Sequence, residues 1–328
     1  MVEIFWLLIA GIALRFAPGI DRARVASVCD QLVLWVALPA MILVQVPKLG
    51  WTSEAIVPAA TAWGVCLGSA AVVLALANWR GWTTAQTGTL MLVVPLANTS
   101  FLGIPAVEAL LGADHVPYAI LYDQPGSFLA LSTYGSIVAA RYGALVAKEH
   151  QRRSANAGPQ DAIEPLTNGS AAHAPTPHAD IGAIFKKVVT FPAFVALVVA
   201  IVIRQTGLPA SLEDAIGRLA ATLTPLVMIA IGLRLAVPRV QDVSERLAVG
   251  LILRLVLAPG AVLLVRMLAH GTGPVWETTQ LESAMPSMVT ASIVATGAGL
   301  DERLATNMVG LGLVLSLITL PLWAQIAT

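Results

Sequence analysis

The stretch LMLVVPLANTSFLGIPAVEALL, from Leu90 to Leu111, is apolar enough to lie in a membrane but is interrupted at its centre. Each proline in it removes a backbone hydrogen-bond donor and disfavours helical angles in the preceding residue. Lipid cannot satisfy the backbone groups that a break exposes, so a break is tolerated only beside other protein or a watery cavity. The stretch therefore predicts a broken membrane helix; the alternative is an ordinary proline-kinked helix. The residues of the interruption are Pro95, Asn98, Thr99, Ser100, Gly103 and Pro105.

The composition of the whole chain indicates a polytopic membrane protein. Of its 328 residues 57% are hydrophobic and 12% are charged, with a mean hydropathy of +0.80, whereas soluble proteins carry about 25% charged residues. The zero net charge argues against nucleic acid as a partner. The sequence contains no set of metal ligands, nucleotide-binding loop or nucleophile motif, so we expect no cofactor, no metal and no enzymatic activity.

Ten apolar segments are candidates for membrane spans, and the lipid bilayer is therefore an expected partner. With the first residue outside the cytoplasm, the cytoplasmic connections hold 14 Lys and Arg residues and the opposite connections hold four. Because basic residues favour the cytoplasmic side, we predict a multi-pass protein of the plasma (inner) membrane with both termini non-cytoplasmic. The segments are approximately 2–17, 25–46, 54–78, 85–111, 117–141, 188–206, 211–236, 246–269, 277–299 and 304–327.

The chain divides into two halves that match each other. Residues 1–143 and 188–328 each hold five predicted spans, and residues 144–187 read as a flexible cytoplasmic linker. Pro39 in LVLWVALPAMIL corresponds to Pro225 in AATLTPLVMIAIG, and Pro95 corresponds to Pro286 in SAMPSMVTAS. An odd number of spans in each half places the second half upside down in the membrane. Such an inverted repeat is typical of alternating-access transporters.

Several segments resemble the auxin efflux carrier family: NTSFLGIPAVEALLG, LVLWVALPAMI, TPLVMIAIGLRL and AMPSMVTASIVATGAGLDE. The resemblance covers both membrane halves and leaves the linker outside it. It implies an all-α fold of ten helices in two inverted five-helix repeats, whose broken fourth and ninth helices cross near the bilayer centre. It also implies export of organic anions, because plant members move indole acetate and bacterial relatives are associated with malate or malonate. The short linker favours a bacterial member, and a homodimer is a family-level expectation.

The candidate substrate-binding residues lie at the two predicted breaks. Open amides at the N-termini of broken helices offer an anion hydrogen-bond donors and positive potential. Asn98 is the first candidate, since it matches the family's asparagine after the proline of the fourth span. Ser287 stands at the position where some members of the family carry an amide side chain. The identity of the substrate therefore stays open. The predicted contacts are Asn98, Thr99, Ser100, Gln124, Ser287 and Thr290, and the predicted breaks lie at Pro95, Gly103, Pro105 and Pro286.

Three charged residues inside the spans are candidates for coupling transport to an ion, because charged groups at membrane depth are costly. Asp123, in YDQPGS, is either a proton-coupling group, a partner of Arg254 or a structural contact. The same alternatives, a coupling role or a structural contact, apply to Glu282. Arg254 either extends toward the cytoplasmic face or binds the anion. Asp30 lies nearer the cytoplasmic end of its span, where a structural role is expected.

The sequence as a whole predicts a secondary carrier for a small organic anion, a mono- or dicarboxylate. One alternative is a sodium-coupled organic-anion symporter of the bile-acid carrier type, with a sodium site at Glu282 and the carbonyls of the breaks. The other is a membrane sensor that binds an anion without transporting it.

Overall fold

Helices make up nearly all of the described part of this chain, as the sequence predicts. The computed structural model describes residues 2–14, 16–17, 21–48, 53–156, 186, 189–234 and 244–328. Numbered so that the halves of a broken helix share a number, the helices are α1 (Val2–Leu14), α2 (Arg22–Lys48), α3 (Val57–Arg80), α4a (Thr84–Val93), α4b (Thr99–Leu110), α5 (116–156), α6 (Pro192–Ile203), α7 (Ala210–Arg234), α8 (Glu245–Leu268), α9a (Pro274–Ser283), α9b (Val289–Gly297) and α10 (Glu302–Ala327).

Five of these helices, α2, α3, α7, α8 and α10, are long and apolar enough to cross a membrane. Large apolar side chains point outward from them and from the shorter α6, including Trp35, Trp79, Val202, Leu264 and Ile318, each at least 58% exposed. A soluble protein would not leave so many such side chains uncovered. The helices therefore form a polytopic membrane protein. The inverted relation between the two halves stays a prediction.

The ends of several helices are fixed by local signals in the sequence. The Thr83 hydroxyl accepts a hydrogen bond from the Gln86 backbone, and the Gln86 side chain accepts one from the Thr83 backbone, which together cap α4a. Asp301 caps α10 through the backbone N–H of Leu304. The α3 helix ends at Gly81, whose φ of +64° is a left-handed conformation that glycine adopts without strain.

The helices pack into two groups, each with its own apolar core. In one group α1 and α2 pack against α7, and α6 packs against the second half of α2. In the other group α4a packs against α5, α9b and α10, while α9a packs against α3, α10 and the start of α5. The two apolar cores meet where α4 and α9 are interrupted, because each core receives side chains from both of these helices.

The fifth helix extends further than the sequence indicates. The span was predicted to end near residue 141 and the linker to begin at residue 144, but the helix continues to Asn156. The rest of the predicted linker, apart from residue 186, lies outside the described residues.

Candidate functional site

The interruptions of α4 and α9 cross each other and are joined through their backbones. The N–H of Asn98 donates to the carbonyl of Pro286 at 2.8 Å, and the N–H of Met288 donates to the carbonyl of Leu96 at 2.9 Å. These two bonds form a short antiparallel bridge between Ala97 and Ser287. Each break thus satisfies part of the exposed backbone of the other, which lipid could not do.

Arg254 satisfies further backbone groups of both breaks. Its side chain is fully buried, and it lies in a wide π-type turn of α8, Leu253–Leu257. Its Nε donates to the carbonyl of Met285 at 2.8 Å, Nη1 donates to that of Val94 at 3.3 Å, and Nη2 donates to that of Ser283. These carbonyls lie at the C-terminal ends of α4a and α9a, where the helix dipoles are negative. Arg254 therefore holds the crossing together; the predictions that it extends to the surface or pairs with Asp123 are wrong.

Asp123 binds the polar residues that follow the first break. Its Oδ1 accepts hydrogen bonds from the hydroxyls of Thr99 and Ser100, both at 2.5 Å, and its Oδ2 accepts one from Gln124 Nε2 at 2.7 Å. The carboxylate lies beside the first turn of α4b, where a negative charge is favourable. Three predicted substrate contacts, Thr99, Ser100 and Gln124, therefore donate hydrogen bonds to Asp123 and are not among the residues that line the cavity described next.

A cavity of about 380 Å³ opens beside the crossing. Three of the predicted substrate contacts, Asn98, Ser287 and Thr290, line it, and the buried Asn98 side chain makes no capping hydrogen bond to α4b. The Ser287 hydroxyl is buried and has no hydrogen-bond partner within the described part of the chain. Helices α9b and α10 add hydroxyls from Ser292 and Thr306. The cavity thus combines free polar groups at the break with an otherwise apolar lining, which is the usual character of a small-molecule site.

An ion pair that the sequence analysis did not anticipate also lines this cavity. Arg234, the last residue of α7, donates from Nη1 to Asp30 Oδ1 at 2.9 Å and from Nη2 to Asp30 Oδ2. The two side chains are the charged ones among the residues that line the cavity. Of the two, the sequence indicates only Asp30 as a charged residue within a span, because Arg234 belongs to the basic residues of the predicted cytoplasmic connections.

Glu282 lies in the last turn of α9a and is not among the residues that line this cavity. Its side chain is fully buried, and neither carboxyl oxygen has a hydrogen-bond partner in the described part of the chain. Gly103 packs directly against it, since a Cβ added to Gly103 would lie only 2.6 Å from Glu282 Oε1. The charged groups that act on Glu282 are Asp123 and Arg254. Glu282 thus keeps two free oxygens near the crossing.

Comparisons with known proteins identify the family of this chain. A family model described as membrane transport protein matches residues 1–324. The chain belongs to this family, that of the auxin efflux carriers. It is 23% identical over 334 aligned positions to an "Uncharacterized transporter" of Methanothermobacter thermautotrophicus, covering 99% of this chain and 97% of the relative. It is 22% identical over 319 positions to "Uncharacterized transporter MJ1031" of Methanocaldococcus jannaschii, covering 94% and 92%. The protein is thus a membrane transport protein.

For this member of the auxin efflux carrier family, the predicted breaks need one correction. Pro95 and Pro286 lie within the breaks, which are confined to residues 94–98 and 284–288. Gly103 and Pro105 do not break the helix, because α4b runs from Thr99 to Leu110 without interruption. Pro105 is tolerated because it lies in the first turn of the regular helical part of α4b, which follows the wide turn Thr99–Gly103.

Proposed function

We propose that this protein is a secondary carrier that exports a small organic anion, a mono- or dicarboxylate such as malate or malonate. The observation that carries the proposal is the crossing of the two broken helices beside a cavity lined by Asn98, Ser287 and Thr290. Crossed breaks recur at the substrate sites of secondary transporters. The side-chain amide and the hydroxyls would donate hydrogen bonds to a carboxylate.

The helix N-termini beside the crossing supply the positive potential that an anion needs. The first turn of α4b already faces the Asp123 carboxylate, whereas the N-terminal residues Val289 and Thr290 of α9b line the cavity. We therefore place the anion between Asn98 and the start of α9b. In the alternating-access cycle that the family resemblance implies, the group of helices that carries the breaks slides against the group formed by α1, α2, α6 and α7, in the plasma membrane.

A second candidate function is transport coupled to a cation, either a proton or sodium. Of the three residues predicted to couple, Asp123 and Arg254 each make three hydrogen bonds. Glu282 keeps both carboxyl oxygens free in a fully buried position. A buried carboxyl group without donors is best accommodated with a bound proton or cation. This observation favours Glu282 as the coupling residue.

Counterflow in proteoliposomes tests both functions. We expect saturable exchange of malate, malonate, succinate or indole acetate by the wild type and its loss in Asn98→Ala. Asn307→Ala, a partly buried asparagine of α10 that does not line the cavity, is the matched control and should retain exchange. If a well-folded wild type exchanges none of these anions, the proposed substrate class is wrong, and saturable binding without exchange would support the sensor.

The same vesicles report on coupling when a sodium or pH gradient is imposed. If transport is coupled, the Glu282→Gln variant should still exchange the anion, but the rate of its transport should no longer respond to the imposed gradient. Glu277→Gln is the control, since Glu277 lies on the same helix but pairs with His115 at 2.9 Å. Equal gradient dependence in the wild type and Glu282→Gln would contradict the role of Glu282.

A further inference from the structure

The Asp30–Arg234 pair has the geometry of a carboxylate site that is already occupied. Both guanidinium nitrogens of the fork donate to both oxygens of one carboxylate, which is the arrangement that arginine adopts with a bound carboxylate ligand. The pair lies in the cavity wall formed by α2 and α7, whereas Asn98, Ser287 and Thr290 belong to the wall formed by the two breaks and the start of α9b. The cavity therefore has polar groups on two different walls.

Most of the other residues that line this cavity are apolar. On α7 the lining residues Val227, Ala230, Ile231 and Arg234 follow helical spacing, so that Arg234 lies about 10 Å along the helix from Val227. Leu34 of α2 and Leu313 of α10 continue the apolar lining. A ligand that matches this cavity has two separated polar groups and a hydrocarbon middle.

The pair also explains how a positive charge is accommodated in the wall of this cavity. An arginine without a partner at this position would be costly, because its charge is partly withdrawn from water inside a membrane protein. Asp30 removes that cost when no anion is bound. Its side chain is 23% exposed and that of Arg234 is 35% exposed, so Asp30 can be hydrated when another carboxylate takes its place.

We propose that Arg234 binds one carboxylate of the transported anion in exchange for Asp30, and that the preferred substrate is therefore a dicarboxylate. Its second carboxylate binds at Asn98 and the start of α9b. Arg234 is paired before and after binding, so the exchange selects an anion without creating a site too strong for release. A monocarboxylate has a single carboxylate group, so it binds either Arg234 or the break but not both. This inference rests on the proposed carrier function and specifies its substrate.

Competition in counterflow tests the inference on the full-length protein. Exchange of labelled succinate is measured against unlabelled malonate, succinate, glutarate, acetate and propionate. Asp30→Asn should lower the half-saturating concentration of the dicarboxylates at least about tenfold, because it removes the internal competitor for Arg234. Arg234→Gln should raise it by a similar factor and abolish the preference for dicarboxylates over monocarboxylates. Arg234→Lys should recover only part of the preference, since lysine lacks the two-pronged geometry.

The control is Glu245→Gln, which breaks the exposed Arg80–Glu245 pair outside the cavity and should change neither quantity. The dicarboxylate site is wrong if the wild type exchanges organic anions but Asp30→Asn and Arg234→Gln leave the ratio of dicarboxylate to monocarboxylate affinity unchanged. If the wild type exchanges no anion, the carrier function is wrong, and succinate binding to the solubilised protein decides the site. Binding weakened by Arg234→Gln would support the site, whereas binding unaffected by it, or no binding, would overturn it.

Discussion

At the scale of single residues, the buried Arg254 has the largest structural role at the crossing. It donates to carbonyls from both broken helices, at Val94, Ser283 and Met285. A carbonyl left without a donor inside the protein costs about 1–3 kcal/mol, and water cannot replace the guanidinium where the side chain is fully enclosed. One positive charge therefore compensates two negative helix ends.

Replacing this guanidinium should destabilise the protein. We expect Arg254→Met to lower the apparent free energy of unfolding by about 3 kcal/mol or more, because the carbonyls of both breaks lose their donors. Titration with SDS in mixed micelles measures the change. Arg266→Met is the control, since Arg266 also donates to carbonyls, of Gly271 and Ala327, but is only partly buried. Equal stability of the two variants would show that Arg254 does not hold the breaks.

The roles of single residues were only partly predictable from the sequence. Asn98, which follows the proline break, lines the cavity, and its contact with the substrate stays a prediction. Thr99 and Ser100 share that position but bind Asp123, which lies one helix further along the chain. The pairing of Asp30 with Arg234 joins residues 204 positions apart. Such pairs depend on the packing of distant helices, which a single sequence does not encode locally.

At the scale of helices, apolar runs located the long elements closely. The predicted spans 54–78, 246–269 and 304–327 correspond to Val57–Arg80, Glu245–Leu268 and Glu302–Ala327, because lipid imposes a length on each apolar run. Breaks were harder to delimit. The sequence suggested one from Pro95 to Pro105, but the helix resumes at Thr99, where the wide turn Thr99–Gly103 begins. The carboxylate that binds the Thr99 and Ser100 hydroxyls at the start of this turn comes from another helix.

Close contact between α4a and α5 provides a test of helix packing. A Cβ added to Gly88 would lie 2.6 Å from Tyr142 Cβ, an atom that cannot move without the backbone of α5, and 2.8 Å from Tyr142 Cγ. Gly88→Ala should therefore destabilise the protein by about 1–3 kcal/mol. Gly64→Ala on α3 is the matched control: an added Cβ there meets no atom within 4 Å, and we expect a small gain from higher helix propensity. A stable Gly88→Ala variant would show that α4a and α5 separate at little cost.

At the scale of the whole molecule, the crossing joins the N-terminal and C-terminal parts of the chain. The bridge between Ala97 and Ser287, the bonds of Arg254 and the shared cavity all combine residues from both parts. Neither part could complete the site alone. This arrangement is what two inverted halves would produce, and the orientation of the chain ends tests that idea.

The distribution of basic residues predicts that both chain ends face the side opposite to the linker. The predicted cytoplasmic connections hold 14 Lys and Arg residues and the opposite connections hold four, a bias that sets membrane orientation. The experiment uses single cysteines in a background without Cys29 and Cys66, both of which are buried. In spheroplasts, a membrane-impermeant maleimide should label Thr328→Cys at once but should label Ser170→Cys in the linker only after permeabilisation.

Each outcome of this labelling bears on the fold. An even number of spans places both ends on the same side, so a cysteine introduced at Val2 should behave like the one at Thr328. Labelling of only one chain end in intact spheroplasts would require an odd number of spans and would exclude two halves of five. Labelling of Ser170→Cys in intact spheroplasts, with both ends protected, would keep ten spans but reverse the orientation. The Asp30–Arg234 pair lies at the linker side of its helices in the predicted orientation. A reversed orientation would place this charged part of the cavity near the outer surface, which is the wrong side for an exporter to collect its anion.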